Sequence, residues 1–243
     1  MTHWYIMSDL HLEFHADHGD SFFSSIGDVS DSGLVSAGDL CDSRFLAEDY
    51  ARLANKFKHV VFVLGNHEYY HSCPTDVHDC IARLVKSHSN LYWLHDSSVT
   101  IEGQRFVGCT LWFEEHPMNT HYEKDLNDFL VIYNFRPWVY KTHKRSVEYL
   151  KRTVKQSDIV VTHHIPTDLG IDPLYKDSTL NRFFVSDQTN FINDRQPRYW
   201  IYGHTHRQNN FKIGKTAMIC NPLGYVFRED TSKFNDQLTI EIS

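Results

Sequence analysis

Five short apolar segments of this chain are each followed directly by side chains that bind metals well. The segment over residues 60–64 is apolar at every position, which is typical of a strand buried on both faces. In open α/β sheets, ligands bind in the crevice beyond the carboxyl ends of the strands. Five strand ends of this composition therefore predict one shared site. Its candidate residues are Asp9, His11, Asp39, Asn66, His67, His163, His164, His204 and His206.

The spacing and the types of these residues indicate which ion they suit. Asp9 and His11 are two residues apart, as are His204 and His206. In extended chain such pairs point the same way, so each can aim two side chains at one ion or at two neighbouring ions. Imidazole, carboxylate and amide donors together favour Mn, Fe, Co or Zn over an all-oxygen Mg or Ca cage. The set has no cysteine, which argues against a structural thiolate zinc site.

These residues lie in five motifs that resemble, in order, the signature motifs of calcineurin-like metallophosphoesterases. The resemblance covers nearly the whole chain, and the specificity comes from the five motifs together, since each alone is weak. Residues 8–13, 110–112, 126–129 and 221–225 are similar to the small, mostly bacterial or phage-borne branch of stand-alone phosphohydrolases. The five motifs are Asp9-Leu10-His11, Gly38-Asp39, Gly65-Asn66-His67-Glu68, Thr162-His163-His164 and Gly203-His204-Thr205-His206.

The resemblance implies an α/β fold in which two mixed β-sheets pack as a sandwich flanked by helices, a four-layer αββα arrangement. Periodicity alone gives only α/β with buried strands. A chain of this length fits one domain, so we expect a single metallophosphoesterase domain over residues 1–243. Irregular insertions near 112–142 and 167–196 are expected to wall the active site, because long loops inside a compact domain are usually functional or disordered. Apolar spacing predicts helices over 43–57, 75–87 and 143–155.

The resemblance also implies a site for two divalent ions, with Mn expected first and Fe, Zn, Co, Ni or Mg as alternatives. A bridging water that loses its proton near neutral pH would be the nucleophile. His67 would protonate the leaving alkoxide or hydrogen-bond a phosphate oxygen, and Glu68 would orient His67 or pair with a basic residue. One ion is assigned to Asp9, His11, Asp39 and His206, and the other to Asp39, Asn66, His163 and His204, with Asp39 as the bridge.

Contacts to the substrate are predicted less directly. The family pattern favours His163 as the ligand and His164 as a residue that faces the substrate or supports a ligand. Arg136, Arg182 and Arg207 are candidates for phosphate contacts, with an ordinary solvated arginine as the alternative for each. The aromatic residues concentrated between 112 and 142 either line a substrate pocket or form the buried side of the insertion.

Composition limits the partners. The net charge is −7 and no cluster of basic residues is present, which argues against non-specific binding to nucleic acid but leaves a nucleotide substrate open. The five cysteines have no pairing motif, so a reducing cytoplasm is expected. Neither a signal peptide nor a membrane span is predicted.

The predicted function is therefore that of a metal-dependent phosphohydrolase, a phosphoric ester hydrolase of EC 3.1 type. Its expected substrate is a small phosphate mono- or diester, with the diester favoured. One alternative is a nuclease acting on DNA or RNA ends, which the acidic balance opposes. Another is a non-catalytic scaffold of the same fold, which the presence of all seven predicted ligands opposes.

Overall fold

Strands from the first part of the chain and the last strand form one sheet in the computed structural model, which describes residues 2–242. These strands are β1 (His3–Met7), β2 (Gly33–Ser36), β3 (His59–Phe62), β4 (Leu91–Trp93) and β11 (Thr239–Glu241). Their order is β11-β1-β2-β3-β4. Strands β1 to β4 run parallel, and β11 pairs antiparallel with β1 at the edge, so the sheet is mixed.

The second sheet has six strands in the order β5-β6-β7-β8-β10-β9. They are β5 (Ser97–Ile101), β6 (Gln104–Cys109), β7 (Ile159–Thr162), β8 (Tyr199–Tyr202), β9 (Phe211–Ile213) and β10 (Thr216–Cys220). The four central strands are parallel, and each edge strand pairs antiparallel with its neighbour. β5 and β6 form a hairpin that turns at Glu102 and Gly103.

Helices cover the outer faces of the two sheets. They are α1 (Asp20–Ser25), α2 (Leu46–Lys56), α3 (Pro74–Ser87), α4 (Asn119–Tyr122), α5 (Asn127–Val131), α6 (Phe135–Thr153) and α7 (Thr189–Arg195). Within residues 2–242, no helix is both long enough and apolar enough to cross a membrane.

Side chains alternate between two faces along each strand, and both faces are buried. Val61 of β3 points into the core between the sheets with Trp4 and Phe106, whereas Val60 and Phe62 point outward onto the layer formed by α2 and α3. Burial on both sides explains why the segment around β3 is apolar at every position. The predicted α/β sandwich of two mixed sheets flanked by helices is confirmed.

Two predictions about the insertions need correction. The predicted helix over 143–155 begins eight residues earlier, since α6 starts at Phe135, and α7 occupies the end of the second insertion. Phe135, Val139 and His143 recur every four residues and are buried, so tertiary packing stabilises a helix in a stretch whose aromatic residues are modest helix formers. Most large aromatic side chains of the first insertion join this core, whereas residues 125–128 of the same insertion line the site.

Candidate metal centre

The carboxyl ends of five parallel strands meet at one place, and the loops that follow them carry the predicted ligands. β1 leads to Asp9 and His11, β2 to Asp39, β3 to Asn66, β7 to His163, and β8 to His204 and His206. Six of these seven side chains belong to residues that are buried, and the seventh, His206, is partly exposed. The fold therefore brings together residues that are up to 197 positions apart in the sequence.

Asp39 lies at the centre of this group. Its Oδ2 is 3.7 Å from Nε2 of His11 on one side and 3.4 Å from Nε2 of His163 on the other. One carboxylate oxygen thus faces two separate imidazole clusters. This is the position that a bridging ligand would take.

Each side of Asp39 has its own set of converging donor atoms. On the first side, Nε2 of His206 lies 3.0 Å from Nε2 of His11 and 3.6 Å from an oxygen of Asp9. On the second side, Nε2 of His163 lies 3.1 Å from Oδ1 of Asn66 and 3.1 Å from Nδ1 of His204. Two donor atoms that each lie about 2.1 Å from one ion are separated by about 3.0–3.5 Å at right or tetrahedral angles. The observed separations fit two bound ions.

The charge distribution also fits bound cations. Burial, together with the nearby carboxylates of Glu68 and Asp9, raises the pKa of Asp39 well above its ordinary value. Within residues 2–242, the ion pairs of Asp9 and Asp39 involve histidines and no lysine or arginine. A buried carboxylate without a permanent positive partner is costly unless a metal ion compensates it.

The imidazoles are held in the neutral form that binds metals. Burial lowers the pKa of His11 and of His204 well below the ordinary value, and it lowers the pKa of His163 to about 4. His206 differs. Burial opposes its charged form, but the hydrogen bond to Glu229 and the charges of Asp9 and Glu229 outweigh that effect and raise its pKa.

Three hydrogen bonds orient the ligands from behind. The backbone carbonyl of Ala37 lies 2.8 Å from Nδ1 of His163, and a carboxylate oxygen of Glu229 lies 2.8 Å from Nδ1 of His206. Asp128 accepts a hydrogen bond of 2.9 Å from Nδ2 of Asn66, which leaves the amide oxygen facing His163. Partners of this kind fix the tautomer and the direction of metal ligands in proteins.

His67 stands beside the ligands without joining either donor set. Its Nδ1 lies 2.9 Å from a carboxylate oxygen of Glu13, and its Nε2 lies 3.0 Å from the hydroxyl of Tyr225. Its ring stacks on Tyr70 with 4.2 Å between centroids. His11, Glu13 and His67 also present three potential ligand atoms within 4.8 Å of one another, but both ring nitrogens of His67 already have protein partners.

Glu68 does neither of the two things predicted for it. Its carboxylate accepts hydrogen bonds from the backbone N–H groups of Asp39, Leu40 and Gly65, at 2.8–3.1 Å, and from the hydroxyl of Tyr50 at 3.0 Å. The residue is fully buried. It therefore ties the loop after β2 to the loop after β3 and positions Asp39 relative to Asn66.

The structure does not place the predicted substrate contacts at the site. His164 is fully buried behind His204, with 4.4 Å between ring centroids, and its Nδ1 faces the carbonyl of Thr110.

The candidate arginines have protein partners. Arg136 pairs with Glu123 at 3.3 Å. Arg182 donates to the carbonyl of Thr179 and lies over the ring of Tyr122. Among residues 2–242, neither arginine nor His164 lines the cavity beside the metal ligands. Arg207 pairs with Asp172 at 2.6 Å.

Glycines precede three of the ligand positions because neighbouring loops pass very close to the backbone there. A Cβ atom on Gly65 would lie 2.1 Å from Oδ1 of Asp39, and one on Gly203 would lie 2.7 Å from an oxygen of Asp9.

Five of the ligand residues have positive φ angles between 46° and 68°, namely Asp9, His11, Asp39, His204 and His206. Residues other than glycine adopt such backbone rarely, although aspartate and histidine do so more often than most, and it is concentrated at functional sites.

A cavity of about 390 Å³ opens beside the ligands. Both insertions contribute to its wall, the first through residues 125–128 and the second through residues between 171 and 184. Its floor is formed by Asp39, Asn66, His67, His204 and His206. A volume in this range is typical of small-molecule sites.

Sequence reasoning gave no role to several residues that the structure places at the site. Glu13 and Tyr225 contact His67, Asp128 holds Asn66, and Glu229 holds His206. Glu13, Asp128 and Tyr225 stand inside segments that carry the resemblance, so their motifs could have indicated them. Glu229 follows no strand or motif, and only the folded chain brings it to His206.

Comparison with known proteins identifies the class. The family model described as "Calcineurin-like phosphoesterase" matches residues 4–208. The chain therefore belongs to the calcineurin-like phosphoesterase family. Membership supports metal-dependent phosphoester hydrolysis, in agreement with the clustered aspartate and histidine donors.

Individual relatives are distant. An uncharacterized protein of Acanthamoeba polyphaga mimivirus is 25% identical in an alignment 270 positions long, which covers 97% of this chain and 95% of that protein. The phosphopantetheinyl hydrolase of Mycobacterium tuberculosis has a similar fold, with a TM-score of 0.74, 14% identity, and 92% and 90% of the two chains covered. A protein of Thermus thermophilus superposes with a TM-score of 0.60 and 14% identity over 91% and 89% of the chains. These two likenesses establish the fold alone.

Proposed function

We propose that the protein hydrolyses a small phosphate ester with two divalent ions, and that the natural substrate is a diester. The observation that carries this proposal is the position of Asp39, whose Oδ2 faces His11 at 3.7 Å and His163 at 3.4 Å. A lone carboxylate between two imidazole clusters fits a bridging ligand. Manganese is the ion we favour, since mixed imidazole and carboxylate donors suit it.

The residues assigned to each ion match the two donor sets around Asp39. When bound, the ions would supply positive charge for the phosphate and a water of lowered pKa as the nucleophile. Asp9, His11, Asp39 and His206 would hold one ion, and Asp39, Asn66, His163 and His204 the other.

The chain's own contribution to proton transfer comes from His67. Glu13 faces Nδ1 of His67, so Nε2 is the nitrogen that exchanges a proton with the cavity. The hydroxyl of Tyr225 contacts Nε2, and both residues line the cavity. We assign to His67, in its doubly protonated form, the delivery of the Nε2 proton to the departing alkoxide. Glu13 would accept the hydrogen bond from Nδ1–H, which orients the ring and stabilises the imidazolium.

The cavity favours a small monoanionic substrate. Among residues 2–242, its lining contains five carboxylate residues and no lysine or arginine. Near neutral pH a diester carries one negative charge and a monoester close to two, so an acidic wall favours the diester. The same lining disfavours a nucleic-acid backbone, which needs a positive surface.

Free thiols at all five cysteines are compatible with the cytoplasmic location we propose.

Turnover of bis(p-nitrophenyl) phosphate by metal-free protein reconstituted with Mn, Ni, Co, Zn or Mg tests the proposal. We expect hydrolysis with at least one ion, manganese among them, and none after treatment with EDTA. p-Nitrophenyl phosphate measured in parallel tests the preference for diesters. Equal or faster turnover of the monoester would overturn that preference, and full activity of exhaustively metal-free protein would overturn the proposed mechanism.

A further inference from the structure

The part of the cavity beyond the metal ligands is lined by both carboxylates and apolar side chains. Asp125 and Asp172 from the two insertions lie on the wall with Glu229 from the C-terminal region. Ile171 and Phe184 contribute apolar surface to the same wall. An organic group attached to the phosphate would have to occupy this space, because the phosphate itself belongs beside the metal ligands.

The carboxylates on this wall differ in how well they are compensated. Asp172 is paired with Arg207 at 2.6 Å, and Glu229 is paired with His206 at 2.8 Å. Asp125 is exposed, and within residues 2–242 it forms no ion pair. Three carboxylates thus line this part of the cavity, and Arg207 beside Asp172 is their one permanent cation among residues 2–242. The described lining itself offers no lysine or arginine, so the wall carries an excess of negative charge.

We infer that the organic group of the substrate carries no second negative charge, and is neutral or cationic with an apolar portion. This rests on the proposed function, since it assumes that the phosphate lies at the metal ligands. Bound ions would not attract a second anion strongly, because Asp9, Asp39 and the phosphate offset their charge. Nucleoside di- and triphosphates, and esters that bear a carboxylate, are thereby disfavoured. Ile171 and Phe184 would bury the apolar portion of a suitable group.

Three monoalkyl methylphosphonates give a direct test, because each carries one phosphonate charge and a single organic arm. The arms are choline, its uncharged isostere 3,3-dimethylbutyl, and 3-carboxypropyl. Calorimetry measures Kd for each with manganese-loaded protein. We expect the carboxylate compound to bind at least about tenfold more weakly than the neutral isostere, and the choline compound at least as tightly as the isostere. Equal Kd values, or tightest binding of the carboxylate compound, would overturn the inference.

Two variants locate the effect on the wall. Asp172→Asn keeps the hydrogen bond to the backbone N–H of Leu174, since asparagine caps as well as aspartate, and it leaves the Arg207 guanidinium without its carboxylate partner. It should lower the ratio of the Kd of the carboxylate compound to the Kd of the neutral isostere at least about threefold, and Asp125→Asn should also lower this ratio. Asp177→Asn makes the same charge change at an exposed position of the same insertion that does not line the cavity, so it should leave the order and size of the Kd values unchanged. Failure of both wall variants to alter the ratio would contradict the assignment.

Turnover of bis(p-nitrophenyl) phosphate is measured on the same preparations. Charge-dependent binding without turnover would refute the proposed hydrolysis and keep the specificity of the wall. Turnover with charge-independent binding would refute only the inference about the substrate.

Discussion

The carboxylate of Glu13 lies 2.9 Å from Nδ1 of His67, and the hydroxyl of Tyr225 lies 3.0 Å from the opposite ring nitrogen. The imidazole is therefore fixed at both ends before any substrate enters. His67 also follows Asn66 in sequence, and its backbone N–H donates to Oδ1 of Asp39 at 2.9 Å. The residue we assign to proton transfer is thus tied to two metal ligands, to Asn66 through the chain and to Asp39 through a hydrogen bond.

Replacing His67 should damage the enzyme in a way that depends on the leaving group. His67→Asn should lose far more kcat/KM on an alkyl or nucleoside ester than on a nitrophenyl ester, because nitrophenolate departs readily without a proton. Positioned proton transfer contributes about 10²–10⁴-fold. Glu13→Gln should show the same pattern to a smaller extent. Metal content is measured in each variant. An equal loss on both ester types would indicate phosphate positioning instead, and loss of metal would make His67 a ligand.

Removing the metals should lower stability as well as activity. Purified protein should carry, or be reconstituted to, about two divalent ions per chain. An ion that binds only the folded state at about a hundredfold excess over its Kd adds about 2.7 kcal/mol to the free energy of unfolding. We expect EDTA to lower Tm and added manganese to restore it. A stoichiometry of one ion per chain in fully active protein, measured by elemental analysis, would contradict the dinuclear assignment.

Asp39→Asn tests the bridge. The amide keeps the shape and the acceptor for the backbone N–H of His67, but it removes the charge that faces both imidazole clusters. We expect hydrolysis to be lost with the fold intact by circular dichroism, and at least one ion to bind more weakly by calorimetry. Turnover close to that of the wild type, with both ions bound, would be incompatible with a bridging role.

In metal-free protein, Asp39→Asn should raise the free energy of unfolding. Burial raises the folded pKa of Asp39 above its unfolded value, so its ionised form costs stability. The contribution of this group is fully present below the unfolded pKa, about 3.9, and is lost as pH rises through the folded pKa. Asparagine stays uncharged throughout. In EDTA, the difference in Tm between Asp39→Asn and wild type should therefore grow as pH rises above about 4. A difference that is constant or shrinks would contradict the raised pKa.

Glu68→Gln should destabilise the fold rather than only slow catalysis. Each carboxylate oxygen of Glu68 accepts two hydrogen bonds. A glutamine would turn an NH₂ group toward at least one buried backbone N–H, because the Tyr50 hydroxyl is the one partner that can also accept. Leaving a buried donor unsatisfied costs about 1–3 kcal/mol in the free energy of unfolding. Urea denaturation of metal-free protein measures this cost. Glu102→Gln, at a partly exposed ion pair with Lys58, is the control and should cost less than about 1 kcal/mol. Similar midpoints for the two variants would refute the structural role of Glu68.

The sequence alone predicted the features of this protein that depend on residues close together in the chain. Apolar strands such as β3, buried on both faces, show an unbroken hydrophobic run, and the ligands follow them within a few residues because the carboxyl ends of parallel strands form the site. The helix over 75–87 was equally readable, since Pro74 suits a first turn and Val77, Ile81 and Leu84 share one face. The glycines before the ligands also carried a local signal, although the reason for them is the approach of Asp39 and Asp9 from other loops.

Only the tertiary structure decided which distant residues serve the ligands. Glu229 reaches His206 from a segment without regular structure, and Glu68 binds the backbone of the loop after β2. His164 shows the limit most clearly, because it is adjacent to His163 in sequence but points into the aromatic layer beside Trp112. The strand ends determine which loops carry the ligands. Positive φ angles and side-chain packing in those loops decide where each ligand side chain points. Those contacts join positions far apart in the chain, and no local pattern of residue types encodes them.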